Sequence, residues 1–180
     1  MLEEIVMSGF GGQGIMLMGR LIAEAALLEG HNVTWLPSYG AEVRGGTAHS
    51  MVKISDEEIA SPVVSNPDTC IAMNQLSADK FTPSLENKGL LIINSSLAKN
   101  RPQRKDIKII SAPLTDIAAK LGNIKVANTV ALGVYLSAQK NIKPESVLSA
   151  MQEMAPKDKR DLLEINQRAL EEGIKIGKKG

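Results

Sequence analysis

The stretch Gly9-Phe10-Gly11-Gly12-Gln13-Gly14 decides the fold expected for this chain. It follows the short apolar run Ile5-Val6-Met7 and precedes a longer apolar segment from Ile15 to Leu28. A strand, a glycine loop and a helix in this order predict open backbone N–H groups at the helix N-terminus, where the helix dipole also favours negative charge. We therefore expect a phosphate or carboxylate to bind at Gly9, Gly11, Gly12, Gln13 and Gly14.

The rest of the chain predicts an α/β protein. The helix after the loop is expected to end near Gly30, and Asn32–Leu36 is expected to form the next strand. Further apolar runs predict strands at Thr69–Met73, Leu90–Asn94 and Ile107–Ser111, and helices after Thr115. This order favours a mostly parallel sheet covered by helices, in a single domain that spans residues 1–180.

The glycine spacing also fits the G-x-G-x-x-G pattern of dinucleotide sites. Such sites need an acidic residue about 20 positions after the loop, which holds the ribose hydroxyls. The second predicted strand instead ends in Trp35-Leu36-Pro37-Ser38-Tyr39, and Glu42 comes later, inside a loop. No Gly-Lys-Ser/Thr follows the glycines, so the P-loop pattern is absent as well. A free-standing nucleotide-binding domain therefore stays only as an alternative.

A second unusual loop follows the second predicted strand. The run from Pro37 to Thr47 contains three glycines, one acid, one base and a tyrosine. Open α/β sheets place their ligands in loops at the carboxyl ends of strands, and both loops are expected at that edge. One interpretation is a wide turn held by a Glu42–Arg44 pair. The other, which we favour, adds these residues to the anion site: Ser38, Tyr39, Glu42, Arg44, Gly45, Gly46 and Thr47.

Composition argues against several classes of partner. Lys and Arg total 21 against 20 for Asp and Glu, and aromatic residues make up only 3%, so a nucleic-acid surface is not expected. The apolar runs are too short to cross a membrane, and the acidic start of the chain does not resemble a signal peptide, so we expect a cytoplasmic protein. The basic run Arg101–Lys105 is expected to face solvent.

Few residues are available for metal or redox chemistry. The single cysteine, Cys70, cannot hold an iron–sulfur cluster and is expected to be an inert core thiol. His49 lies in a predicted strand. It could act as a proton carrier, but such a residue is more commonly part of the packing. Asn74 and Asn94 each follow an apolar strand, where capping is a commoner use than ligand contact. We expect no metal site and assign no catalytic residue.

Taken together, the two loops resemble the gamma subunit of 2-oxoacid:ferredoxin oxidoreductases. The resemblance includes the distinctive Tyr39-Gly40-Ala41-Glu42-Val43-Arg44-Gly45-Gly46 and extends to Ala72-Met73-Asn74-Gln75, Ile93-Asn94-Ser95 and Ala127-Asn128-Thr129-Val130-Ala131-Leu132-Gly133. It implies a three-layer α/β/α sandwich, like the gamma domain of pyruvate:ferredoxin oxidoreductase. The second loop looks more like the 2-oxoglutarate type than the pyruvate type. Branched-chain 2-oxoacid enzymes and the beta subunit of indolepyruvate oxidoreductase remain alternatives.

This resemblance implies a multi-subunit enzyme. Such an enzyme decarboxylates a 2-oxoacid on thiamine diphosphate, passes electrons through iron–sulfur clusters to ferredoxin, and transfers the acyl group to coenzyme A. The present chain lacks a Gly-Asp-Gly…Asn-Asn thiamine diphosphate motif. The resemblance therefore assigns thiamine diphosphate and the clusters to alpha, beta and ferredoxin-like delta partners. It leaves this chain an active-site wall and an anion site, with coenzyme A as the expected cosubstrate.

Overall fold

A six-stranded sheet lies at the centre of the computed structural model, which describes residues 1–39, 47–155 and 160–179. Its strands are β1 (Leu2–Phe10), β2 (Asn32–Tyr39), β3 (Thr47–Ser55), β4 (Thr69–Ala72), β5 (Leu90–Asn94) and β6 (Lys108–Ala112). The spatial order is β2-β3-β1-β4-β5-β6. Strands β1, β4, β5 and β6 pair in parallel, as expected for a mostly parallel sheet.

Strand β3 breaks the parallel pattern because it lies antiparallel between β1 and β2. Strand β2 is consequently an edge strand, and it continues through Pro37 to Tyr39 instead of ending at Leu36 as predicted. Proline is tolerated there because an edge strand has one side with no ladder hydrogen bonds to donate. Since β2 and β1 are both antiparallel to β3, they run in the same direction and end at the same edge of the sheet.

Six helices accompany the sheet in the described ranges. They are α1 (Ile15–Leu28), α2 (Gln75–Phe81), α3 (Leu114–Lys120), α4 (Ala127–Gln139), α5 (Pro144–Met154) and α6 (Arg160–Gly177), with 3₁₀ turns at Thr82–Ser84 and Ile124–Val126. Helix α2 ends at Phe81, directly before the 3₁₀ turn that contains Pro83, since proline lacks the backbone donor that a continuing helix needs. None of these described helices is both long and apolar enough to cross a membrane.

The two faces of the sheet bury separate apolar clusters. On one face, Ile5, Met7 and Ile92 pack in a large cluster with α1, α3, α4, α5 and α6. On the other face, a smaller cluster that includes Cys70 and Phe81 lies between the sheet and α2. Helices therefore cover both faces, and the expected three-layer α/β/α arrangement is confirmed.

Close helix packing places the start of α4 near the glycine loop. A Cβ atom on Gly133 would lie 2.1 Å from the carbonyl oxygen of Leu170, and one on Gly173 would lie 2.1 Å from that of Val130. These contacts leave no room for a side chain, so α4 and α6 touch backbone to backbone. This pairing fixes α4 against the sheet with its N-terminus at the edge where β1 ends.

Candidate anion site at the carboxyl edge of the sheet

The glycine loop turns sharply at the edge where β1, β4, β5 and β6 end, which we call the carboxyl edge. Gly12 and Gly14 have φ angles of 93° and 72°, in the left-handed region that favours glycine. The Gln13 amide donates to the carbonyl of Phe10 at 3.2 Å, and Met18 donates to the carbonyl of Gly14 at 2.9 Å. These bonds form a tight turn that leads directly into α1.

Several amides of this loop remain open. The N–H groups of Gly11, Gly12 and Gly14 donate to no other residue in the described ranges. Gly11 and Gly12 are exposed, and a Cβ atom on Gly12 would meet nothing within 4 Å. Open donors, free space and the positive end of the α1 dipole together suit a phosphate.

The N-terminus of helix α4 also lies beside the glycine loop. Asn128, in the first turn of α4, donates from Nδ2 to the carbonyl oxygen of Gly14 at 3.3 Å. The approach is close enough that a Cβ atom on Gly14 would lie 2.2 Å from Nδ2 of Asn128. Helices α1 and α4 therefore both begin beside the glycine loop, and the positive ends of two helix dipoles lie close to one site. No sequence pattern indicated this long-range contact of Asn128.

The side chain of Gln13 faces the protein and holds the loop in shape. Its Oε1 accepts from the amide of Phe10 at 2.7 Å and from Nδ2 of Asn74 at 3.4 Å, while its Nε2 donates to the carbonyl of Met73 at 3.4 Å. Gly9 makes space for this side chain, since a Cβ atom there would lie 2.5 Å from Oε1 of Gln13. Both residues were predicted to contact a ligand. Their contacts in the structure position the loop.

Two buried asparagines extend this support along the edge. Asn74 caps α2, accepting from the Ser77 amide at 2.9 Å. Asn94 donates to the carbonyl of Met73 at 3.2 Å and to Oγ1 of Thr115 at 2.9 Å, which ties the ends of β4 and β5 to α3. Asn74 thus takes the capping role that is commoner for such residues, whereas Asn94 links two strands to a helix. We call Gln13, Asn74, Asn94 and Asn128 the amide network.

The ends of the second loop lie at the same edge. The register pairs Phe10 with Thr47 and Tyr39 with Ala48. Ser38 is half-buried, Thr47 is exposed, and Tyr39 is 72% exposed. Four predicted site residues lie outside the described residues, and their contribution stays a prediction: Glu42, Arg44, Gly45 and Gly46.

Cys70 and His49 take structural positions. Cys70 is fully buried, and burial raises the pKa of its thiol to about 12, so it is an inert core thiol as expected. The ring of His49 packs against Phe81 with centroids 5.4 Å apart. Burial, followed by the charge of Lys80, lowers the pKa of His49. This environment supports the packing interpretation over the proton carrier.

The opposite edge of the sheet, the amino edge, contains a buried carboxylate. Glu3 is 2% exposed and accepts from the Tyr135 hydroxyl at 2.9 Å, from Nδ2 of Asn141 at 2.7 Å and from Oγ1 of Thr69 at 3.1 Å. Burial raises the pKa of Glu3 despite these hydrogen bonds, and the nearby Asp68 adds to the rise. No sequence pattern singled out Glu3.

This geometry defines an α/β domain with a candidate anion site where two helices begin. The part of the chain that the structure describes has no group of three or more metal-ligating side chains. The chain belongs to the pyruvate ferredoxin/flavodoxin oxidoreductase family, whose model matches residues 4–176. The family resemblance expected from the two loops is thereby confirmed.

Relatives with different substrates match the chain. It is 37% identical over 171 residues to ketoisovalerate oxidoreductase subunit VorA of Methanothermobacter thermautotrophicus, covering 94% of this chain but only 35% of that protein. It is 33% identical to 2-oxoglutarate synthase subunit KorC of Methanocaldococcus jannaschii, covering 99% of this chain and 95% of that one. The chain thus spans about a third of the length of the VorA relative and nearly all of KorC.

Solved structures share the fold. The gamma subunit of a keto/oxoacid ferredoxin oxidoreductase from Geobacter sulfurreducens matches with a TM-score of 0.86 and 29% identity, over 98% of this chain and 97% of that chain. A 2-oxoglutarate:ferredoxin oxidoreductase from Magnetococcus marinus, with 2-oxoglutarate, coenzyme A and succinyl-CoA bound, matches with a TM-score of 0.90 and 23% identity. That match covers 99% of this chain and 31% of the other, and it shows a common fold.

Proposed function

We propose that this chain is the gamma-type subunit of a 2-oxoacid:ferredoxin oxidoreductase, and that its glycine loop binds phosphate groups of coenzyme A. The observation that carries the proposal is the set of open amides at Gly11, Gly12 and Gly14, at the meeting point of two helix N-termini. Family membership supports the enzyme class. We further propose that the chain forms one domain over residues 1–180 and acts in the cytoplasm.

Each part of the site has a distinct role in this account. The open amides bind and orient the phosphates of coenzyme A, whose negative charge the dipoles of α1 and α4 favour. The amide network holds those N–H groups in place before the ligand arrives, which reduces the entropy cost of binding. Tyr39, Ser38 and Thr47, with the four residues Glu42, Arg44, Gly45 and Gly46, border the ligand on the side of the second loop.

The chemical steps belong to partner chains in this proposal. The alpha, beta and ferredoxin-like delta subunits hold thiamine diphosphate, which supplies the decarboxylation chemistry, and the iron–sulfur clusters, which deliver electrons to ferredoxin. Cys70 is the single cysteine and is fully buried, so it does not fit a cluster. This chain contributes one wall of the binding site for coenzyme A.

The substrate proposed is 2-oxoglutarate, because the second loop resembles that type and KorC matches along nearly its full length. Ketoisovalerate is the second candidate, since the VorA relative matches with 37% identity. Rates of the co-purified complex with 2-oxoglutarate, ketoisovalerate and pyruvate, each with coenzyme A and a low-potential acceptor, separate the two candidates. The highest kcat/KM for ketoisovalerate would replace the 2-oxoglutarate assignment.

A pair of substitutions at Gly12 tests the coenzyme A site in the assembled complex. Gly12→Asp places a negative charge beside the phosphates, so KM for coenzyme A should rise by at least about tenfold while KM for the 2-oxoacid stays near that of the wild type. Gly12→Ala is the matched control, because the position faces open space and only backbone strain is added. Equal KM values for coenzyme A in both variants and the wild type would exclude the loop as the phosphate site.

A further inference from the structure

A narrow groove lies between helices α1, α5 and α6. Its volume is about 190 Å³, and the described residues that line it are seven apolar ones and a single amide. Leu17 and Leu162 are 44% and 39% exposed, so the groove is open to solvent along one side. Its walls include Leu17 and Leu21 from α1, Met151 and Met154 from α5, and Leu162 and Asn166 from α6. We call it the α1 groove.

The α1 groove begins beside the glycine loop. On one wall, Leu17 lies in the first turn of α1, and long side chains on a helix point back towards its N-terminus, which here follows Gly14. On the other wall, the Thr129 hydroxyl donates to Oδ1 of Asn166 at 2.6 Å. Thr129 follows Asn128, which contacts the carbonyl oxygen of Gly14. Both walls therefore reach the carboxyl edge at the place where the amides of the loop are open.

Helix α5 brings its methionines to the same edge because it runs antiparallel to α1. Its start lies at the far end of α1, where the Lys143 amide donates to Oε1 of Glu29 at 2.7 Å. Near its other end, Met151 and Met154 meet Leu17 in the α1 groove. The groove and the candidate anion site therefore lie side by side, so a ligand bound by its phosphates at the loop can extend into the groove.

The size and the lining of the α1 groove suit a flat aromatic ring. An apolar cavity of about 150 Å³ is enough to bind benzene. The groove, with about 190 Å³ and one open side, accommodates a fused ring. Methionine side chains adapt to the shape of a ligand, and their sulfurs make favourable contacts with aromatic rings. These properties favour the base of a nucleotide over a charged group.

Asn166 is the single polar side chain among the described residues of the groove. Its Nδ2 donates to the carbonyl oxygen of Leu162 at 2.7 Å, and its Oδ1 accepts from the Thr129 hydroxyl. Since a side-chain amide has two N–H donors and two acceptor lone pairs, Asn166 retains one of each. Adenine presents the N6 amino donor beside the N7 acceptor, a pair that asparagine binds in a bidentate manner, whereas guanine presents two acceptors there. Asn166 is therefore complementary to adenine.

We propose that the α1 groove binds the adenine ring of coenzyme A, and that Asn166 selects adenine with its remaining donor and acceptor. This inference rests on the proposed function, because the pyrophosphate at the glycine loop is what brings the adenosine to the groove. The thiol end of coenzyme A is the other candidate occupant. It fits less well, because the thiol has to reach an acyl group held by a partner chain. In addition, no titratable or nucleophilic side chain lines the groove among the residues that the structure describes.

Competition by nucleotides tests the base specificity in the assembled complex. ADP and GDP carry the same phosphates, so their inhibition constants against coenzyme A isolate the contribution of the base. The constant for ADP should be at least about tenfold lower than that for GDP. Asn166→Leu should bring the two constants within about twofold of each other, while Gln167→Leu, at the exposed neighbouring position, should keep the wild-type ratio. Equal constants in the wild type, or an unchanged ratio in Asn166→Leu, would overturn the proposal.

A second pair of variants tests the apolar walls without changing Asn166. Leu17→Gln/Leu162→Gln removes apolar surface from both sides of the groove, so KM for coenzyme A should rise by at least about fivefold. KM for the 2-oxoacid should stay near that of the wild type. Leu27→Gln/Leu28→Gln is the matched control, since both leucines are about half exposed at the far end of α1. An unchanged KM for coenzyme A in the first variant would overturn the proposal. Loss of a partner subunit from that variant would also overturn it, and would assign the groove to a protein contact.

The Gly12 substitutions separate this inference from the proposed function. Gly12→Asp should raise KM for coenzyme A but leave the ratio of the ADP and GDP constants unchanged, because both nucleotides carry the same phosphates. If this KM rises while the groove variants have no effect, the adenine assignment alone fails. If this KM stays unchanged while ADP is still preferred to GDP, the assignment of the phosphates to the glycine loop fails.

Discussion

Each edge of the sheet contains a cluster of buried polar side chains, and the two clusters use their hydrogen bonds differently. At the carboxyl edge, three members of the neutral amide network donate to backbone carbonyls, and the fourth, Asn74, donates to Gln13. The N–H groups of Gly11, Gly12 and Gly14 in the glycine loop stay open. At the amino edge, the carboxylate of Glu3 is surrounded by donors that it already satisfies. One cluster leaves N–H donors open for an anion from outside, whereas the donors of the other already bind the side chain of Glu3.

This difference separates polar residues that serve a ligand from polar residues that serve the fold. A buried carboxylate that accepts three hydrogen bonds has little capacity left for a ligand. Neutral amides that use their own polar atoms to fix a loop leave the backbone of that loop free to bind. The carboxyl edge is therefore the functional edge in our account, although both edges contain buried polar side chains.

The largest loss of stability is expected from a substitution in the glycine loop, at the carboxyl edge. Gly14→Ala adds left-handed strain of about 1–2 kcal/mol and an overlap with Asn128 that costs about 1–3 kcal/mol, because the new Cβ would lie 2.2 Å from Nδ2. The free energy of unfolding in urea should fall by about 3 kcal/mol. Gly12→Ala, which faces open space, should lose only the strain. Equal losses in the two variants would show that Asn128 does not restrict Gly14.

A smaller loss is expected when the loop support is removed. Gln13→Ala leaves the Phe10 amide without its side-chain partner and the Met73 carbonyl with only its bond from Asn94. This should cost about 1–3 kcal/mol of unfolding free energy and raise KM for coenzyme A. Gln167→Ala, on the exposed face of α6, should change stability by less than about 0.5 kcal/mol. An unchanged KM in Gln13→Ala would mean that the loop keeps its shape without this side chain.

The smallest effect belongs to the amino edge and depends on pH. The raised pKa of Glu3 means that the folded chain keeps this proton at pH values where the unfolded chain has lost it. The contribution of Glu3 to the free energy of unfolding is therefore fully present at pH values below its pKa in the unfolded chain, about 4.3. It is lost as the pH rises to the pKa of Glu3 in the folded chain. Relative to Glu3→Gln, the wild type should lose stability over that range. Parallel stability profiles for the two proteins would contradict the raised pKa.

Local patterns predicted the strands and helices that are continuously apolar. The run Leu90–Asn94 forms β5 with the predicted bounds, and the apolar run Ala127–Gln139 forms α4 in the part of the chain predicted to be helical. Both are recognisable because buried elements need apolar residues along most of their length. The extension of β2 through Pro37 was missed because it depends on β2 lying at an edge. That position follows from the insertion of β3, a pairing between distant segments that periodicity does not encode.

The candidate site shows the same limit of prediction from local sequence patterns. The glycine loop was predicted as an anion site from its spacing, and the structure gives it open amides in the expected place. The inward orientation of Gln13 and the contact between Asn128 and Gly14 were not predictable, since each depends on residues 60 or more positions away. A loop motif thus indicates which backbone is special, whereas tertiary contacts decide which of its side chains are free for a ligand.

Amide hydrogen exchange of the assembled complex tests the central claim most directly, by comparing the two edges with and without coenzyme A. Binding at the open amides should slow exchange in a peptide that covers residues 9–17, while a peptide that covers residues 139–143 at the amino edge should be unaffected. Gly12→Asp should abolish the protection. Exchange at residues 9–17 that does not change with saturating coenzyme A, or that slows equally at both edges, would contradict the account.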